Sequence, residues 1–311
     1  MVNFSNITQE SASFSKNPPF LKNCIMSFKT KISHIRSIFS KSINALRQNS
    51  IIFLPFAIIA FLELLGLEIL YFSSRFPLSI IFGPPIRRLF GESYLHYPFN
   101  FIIIPKLQYN LQVVISIFLG GLLTAALMHM VYRISQVNQP NFKVSLKAVF
   151  KNYFTFLLII SLTLFLFFTW MNLHNLVLKK LLVLKLGKIF KLFIKAWIIS
   201  YPFINFFFAI LIQSLLVFAI PVAIVKEGRF FKALKEGLVF LKGRFVITFL
   251  LILLPSLVYF PIIILKNNLG ILMDKTFPEM TLWVIGLGSI LSLFVETFIS
   301  TCIITYYLND K

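Results

Sequence analysis

A chain of 311 residues with two cysteines, four histidines and ten acidic side chains has little from which to build a catalytic or metal centre. Cys24 lies in the N-terminal tail and Cys302 in the last apolar run, a separation that argues against a disulfide framework or a cysteine-based metal site. His34, His96, His129 and His174 show no ligand spacing. Met128-His129-Met130 imitates a soft-metal triplet, yet successive helical residues diverge by about 100°, so the three cannot converge on one ion. No phosphate-binding loop, dinucleotide fingerprint, metalloprotease helix or nucleophile elbow occurs. No enzymatic reading has positive support, and no cofactor or metal is implied.

Polar surface is the other shortage. Charged residues make up 13% of the chain and hydrophobic residues 58%, with 38 Phe and a mean hydropathy of +0.88. A soluble domain of this length needs far more polar surface to cover its core. The apolar residues gather in uninterrupted runs: Ile51–Phe72, Leu111–Ile134, Tyr153–Met171, Trp197–Val225, Phe245–Leu265 and Leu282–Tyr307. At about 1.5 Å per residue, roughly 20 such residues cross the ~30 Å hydrocarbon core of a bilayer. The expected fold is therefore all-α, a polytopic membrane helical bundle of about six transmembrane helices, with one integral membrane domain over residues 25–311. The first apolar run begins near residue 51 and is long enough to span, so no cleavable leader is expected. Residues 1–24, rich in Ser and Asn and carrying Pro18 and Pro19, read as a disordered tail.

The net charge of +20 would point to nucleic acid in a soluble protein. Here Lys and Arg border the apolar runs, so the expected partners are anionic membrane lipids, with protein partners left open and nucleic acid not expected. Placing the N-terminus inside puts 18 Lys and Arg on the inner side and 12 on the outer, which favours both termini in the cytoplasm. The segment 172–196 opposes this with six lysines on the outer side. Its Lys180, Lys188, Lys191 and Lys195 fall within about 80° on a helical wheel, the pattern of a helix lying on an anionic lipid surface. Alternatively, that segment faces the cytoplasm and the span count is wrong by one.

Ser42, Ala45, Asn49, Phe53 and Leu54 recur at a constant offset of 103 as Ser145, Ala148, Asn152, Phe156 and Leu157. A looser copy runs from Ala233 to Phe245. Each copy carries apolar residues at helical spacing with basic residues between them, and each leads into an odd-numbered span. The chain therefore reads as three units, about 25–134, 142–225 and 229–307, each a basic amphipathic interfacial helix followed by a two-span hairpin. Units with an even number of spans point the same way, so a pseudo-symmetry axis would lie along the membrane normal.

Within the third copy, Ile220-Pro-Val-Ala-Ile-Val-Lys-Glu227-Gly228 leads through Ala233-Leu-Lys to Lys242-Gly243-Arg244-Phe245. This stretch resembles a broad group of bacterial polytopic proteins related to the membrane domain of glycerophosphoryl diester phosphodiesterases. The resemblance implies a helical bundle in the bacterial cytoplasmic (inner) membrane. It does not carry over phosphodiesterase activity, which in the named enzymes belongs to a separate soluble domain.

Three acidic residues fall inside the runs: Glu63 and Glu68 in the first, Glu296 in the last. A carboxylate in hydrocarbon costs about 2.5 kcal/mol or more, so each is expected to face the bundle interior or water. Glu63 and Glu68 stand about 140° apart on a helix and do not share a face. One reading is a proton or cation pathway with Glu63 and Glu296 near mid-membrane; the other is neutral, hydrogen-bonded packing, with Glu68 close to the outer interface. Gly120, Gly121, Ala125 and Ala126 suit close helix packing in the second run, and Asn205 and Gln213 suit interhelical hydrogen bonds in the fourth. The first outer loop carries Arg87, Arg88, Glu92 and His96 among Pro, Gly and aromatic residues. It reads either as a site for a phosphate or carboxylate headgroup or as an aromatic and basic anchor.

Two kinds of function follow. One is a lipid- or partner-binding membrane factor acting through the cationic helices and outer loop. The other is a small-solute or ion transporter or channel using the intramembrane carboxylates. Three tandem hairpins resemble mitochondrial carriers in outline, but the Pro-x-Asp/Glu-x-x-Lys/Arg signature is missing from the odd spans.

Overall fold

The structure, a computed structural model, describes residues 19–183, 188–269 and 277–310. Among these residues it is all helix. Six helices are long and apolar enough to cross a bilayer: Ser50–Phe72, Asn100–Ser135, Tyr153–Lys180, Ala196–Val225, Phe245–Lys266 and Met280–Asn309. The chain is a multi-pass α-helical membrane protein. Of the expected 1–24 tail, residues 1–18 lie outside the described residues, and α1 (Pro19–Gln48) starts at the second proline of the pair.

A 3-10 turn at Ser50–Phe53 feeds α2 (Leu54–Phe72), where Pro55 takes the first turn and so loses no helical hydrogen bond. The loop expected outside is itself helical over α3 (Leu78–Phe90). The second span then begins 11 residues before the apolar run, as α4 (Asn100–Ile115), a π-helical turn at Ser116–Gly120 and α5 (Gly121–Ser135). Asn141 caps the short α6 (Phe142–Phe150) by accepting from Val144 N–H at 3.1 Å. The hairpin of α7 (Tyr153–Val183) and α8 (Lys188–Leu216) follows. At 31 residues α7 is about 46 Å long and overruns the hydrocarbon slab. The lysine-rich segment therefore prolongs both spans as helix on either side of residues 184–187, instead of forming a separate surface helix. The expected stripe of Lys188, Lys191 and Lys195 lies outside the described side chains.

The fourth span breaks at Val217–Phe218 and resumes as α9 (Ala219–Val225). After α10 (Phe230–Leu241), the chain turns at Gly243, whose φ of +79° favours a residue without Cβ. The fifth span is α11 (Phe245–Ser256), a 3-10 turn at Leu257–Tyr259 and α12 (Phe260–Asn267). Pro255 and Pro261 flank that turn and remove backbone donors there. The last span is one uninterrupted helix, α13 (Met280–Asn309).

Packing closes the spans into a ring: α2 with α4, α5 with α7, α7 with α8, α8 with α11, α11 and α12 with α13, and α13 back against α2. An even number of spans leaves α1, α6, α10 and the end of α13 at one end, the base, with α3 at the other, the crown. At the base α6 packs on α5, α10 on α9, and α1 on α13. Each crossing is made at a small residue. Ser145 sits 3.0 Å from His129, Ser42 lies beside Cys302, and a Cβ on Gly237 would come within 2.9 Å of the Ala219 nitrogen. The apolar positions Ile38, Leu46, Val149, Ala233 and Leu241 of these three helices are buried in the main core. Burying a single Val- to Leu-sized side chain is worth about 1.5–3 kcal/mol, and the stripes spend it on the bundle. Residues at their margins, including Phe150, Phe231 and Val239, stay exposed to whatever surrounds the base.

Candidate functional site

The ring encloses a chamber of about 410 Å³ lined by the first, second, third, fourth and sixth spans. Glu63 and Glu296 both line it. Glu63 lies 13 residues after Ser50 and Glu296 lies 13 residues before Asn309. At about 1.5 Å per residue, both stand ~20 Å from the base, at one depth. The structure thus brings together two of the three intramembrane carboxylates. Glu68 is not among them: it is exposed on the outside of α2, as its angular offset from Glu63 requires.

Glu63 is 7% exposed and is held by two amides one helical turn apart on α4. Gln112 donates from Nε2 to its Oε2 at 3.0 Å, and Gln108 donates from Nε2 to its backbone carbonyl at 2.9 Å. Gln108 is itself buried, and its Oε1 has no hydrogen-bond partner. Glu296, Tyr259 and Lys266 all lie within Coulombic reach of Glu63, and Tyr259 also within reach of Glu296. The Lys266 ammonium rests against Gly288 of α13, on the crown side of the carboxylates. Ser116, Thr124, Thr163 and Gln213 add neutral polar groups to an otherwise apolar wall.

The interruptions in the spans gather at this chamber. Ser116 and Gly120 bound the π turn of the second span and line it, as does Val217 at the break in the fourth. Tyr259 closes the 3-10 turn of the fifth, within reach of both carboxylates. Irregular backbone at membrane depth is tolerated where it borders a cavity, because its freed polar groups need not meet lipid.

Of the four small residues expected to serve close packing, three do. Ala125 and Ala126 are fully buried, and a Cβ on Gly121 would meet the Phe156 carbonyl oxygen at 2.8 Å. Gly120 instead forms chamber wall. Asn205 accepts from Trp170 Nε1 at 3.1 Å and ties α8 to α7, whereas Gln213 faces the chamber.

Below the chamber the base is closed by rings. Phe218, Phe240, Tyr306 and Tyr307 interlock, with Phe218–Phe240 centroids 4.7 Å apart and Phe240–Tyr307 centroids 4.9 Å apart. Arg244 stacks over Phe240 at 4.4 Å and pairs with Asp310 at 3.3 Å. At the crown, Arg87, Arg88, Glu92 and His96 are all exposed. Arg87 and Glu92 pair at 3.2 Å and leave Arg88 and His96 as separate surface groups.

Gln108, Gln112, Tyr259 and Lys266 were not singled out from sequence. The first two sit in a stretch that reads as outer loop, and their spacing of four residues was the one available signal. Comparison of the chain with family models, curated proteins and solved structures finds no match.

Proposed function

We propose that the protein is a transporter or channel-like protein for a small cation, with the Glu63–Glu296 chamber as its binding site. The observation that carries this reading is the meeting of two carboxylates, from the first and last spans, at one depth in one enclosed space. Two carboxylates beside hydroxyls and apolar wall suit a proton together with a choline-sized organic cation, and the pinning of Glu63 by Gln112 keeps one of them in place. Interrupted spans around a midplane site are the usual architecture of solute carriers. The recurrent seating of α1, α6 and α10 on the ends of α13, α5 and α9 supports three tandem units disposed about the membrane normal. The excess of Lys and Arg at the base supports a cytoplasmic base in a bacterial inner membrane.

The test is potential-driven uptake of protons and of radiolabelled choline into vesicles reconstituted with the full chain. Wild type should carry at least one of them, and Glu63→Gln and Glu296→Gln should each abolish that flux. Wild-type flux in both variants, or none in the wild type, refutes the proposal. The exposed Arg88 and His96 at the crown favour a second reading, a lipid- or partner-binding membrane factor. Under it, gently purified protein retains anionic lipid or a protein partner in mass spectra, and both glutamine variants retain it equally. A reporter fused near Leu182 checks the orientation, since a cytoplasmic signal there would invert it.

A further inference from the structure

A second pocket, of about 570 Å³, opens at the base and shares no residue with the central chamber. It is built by the end of α9, one face of α10, the turn after it and the end of α13. Four cations reach it, Lys226, Lys232, Lys235 and Arg244, against two carboxylates, Glu236 and Asp310. Both carboxylates are already engaged. Lys226 Nζ donates to Glu236 at 2.6 Å, and Arg244 pairs with Asp310 at 3.3 Å. Lys232 and Lys235, three residues apart on α10, make no ion pair among the described residues and are exposed. The pocket therefore carries an excess of two positive charges, on ammonium groups whose three rotatable donors adapt to phosphate oxygens. Val222, Val239 and Phe240 supply an apolar wall beside them.

We infer that this pocket binds a phosphate monoester, with the phosphate on Lys232 and Lys235 and the organic part against Val239 and Phe240. A monoester carries about −1.5 to −2 charges at neutral pH, which matches the excess. The two standing ion pairs keep Lys226 and Arg244 from collapsing onto the site and hold α10 in register with α9 and α13. The phosphate source is either the headgroup of phosphatidic acid or a soluble metabolite-sized ester, since both present the same dianion at the base.

The experiment uses the full chain in two arms. In neutral phosphatidylcholine nanodiscs, glycerol 3-phosphate is titrated calorimetrically. In nanodiscs containing phosphatidic acid, retained lipid is counted by native mass spectrometry. Wild type should bind saturably in one arm at least, and that arm identifies the source. Lys232→Gln/Lys235→Gln should weaken binding by about tenfold or more, because it removes both charge-assisted donors, and added salt should weaken wild-type binding in the same direction. Both side chains are exposed, so packing is left intact, and Lys235→Glu provides a second variant that should abolish binding outright. Lys147→Gln/Lys151→Gln, at two exposed lysines on and just after α6, should bind like wild type. Equal binding by wild type and the Lys232/Lys235 variants, or equal loss in the α6 control, overturns the assignment.

Discussion

Adjacent glycines in the second span should respond oppositely to the same substitution. At Gly121 an added Cβ would stand 2.8 Å from the Phe156 carbonyl oxygen, 3.1 Å from its carbon and 2.8 Å from Ile160 Cγ1. Two of those atoms are helix backbone and cannot rotate aside, so α7 must move off α5. Overpacking of this kind costs about 1–3 kcal/mol. Replacing a helical glycine returns about 1 kcal/mol through backbone entropy and propensity. Gly121→Ala should therefore be destabilising by up to about 2 kcal/mol, and larger side chains by more. At Gly120 the nearest atom to an added Cβ is Ser116 Cβ at 3.6 Å, an ordinary contact, and the residue borders the chamber. Gly120→Ala should then be neutral or stabilising by up to about 1 kcal/mol. Reversible unfolding in mixed detergent and dodecyl sulfate micelles, read by Trp fluorescence, measures the difference. Equal stability of the two variants, or Gly121→Ala the more stable, would refute the close approach of α5 and α7. Gly120→Phe, in contrast, should leave the fold standing and fill the chamber, so that flux falls without loss of protein.

Trp197→Phe should destabilise the crown end of the α7–α8 hairpin by about 1–3 kcal/mol. It removes the indole N–H that donates at 2.6 Å to Nε2 of the buried His174, and thermal unfolding in detergent reads the loss. In a Cys24→Ser background, Asp310→Asn or Arg244→Gln should speed maleimide labelling of the buried Cys302, because each weakens the pair that closes the base; unchanged labelling would show that the aromatic cluster closes it alone. The Glu236 carboxyl is held below its ordinary 4.5, and the Lys226 amine above its ordinary 10.5, chiefly by the hydrogen bond between them. The depressed acid contributes fully above 4.5 and loses that contribution as pH falls through its folded value; the raised amine contributes fully below 10.5 and loses it as pH rises. Unfolding curves of wild type and Glu236→Gln should thus differ only slightly at neutral pH, since both groups face solvent, and should converge in acid.

Fold class and span count follow from the chain alone, because long apolar runs have no other solution in water or lipid than to cross a bilayer as helices. The opposite fates of Glu63 and Glu68 were also legible, from nothing more than the 100° step of a helix. The unpaired lysines of α10 were visible as a cationic stripe. What side of the membrane they touch, and that α9 and α13 join them in one pocket, was not. The same holds for the carboxylate chamber. Glu63 and Glu296 are separated by almost the whole chain and meet because α13 closes the ring against α2, and Gln108 and Gln112 join them because α4 starts well before its apolar run. Gly120 and Gly121 look identical in sequence, and one became a packing contact and the other a chamber wall. Local periodicity sets which residues share a face of one helix; which helix that face meets is decided by long-range packing, where each apolar surface has several comparable partners and only the closed bundle selects among them.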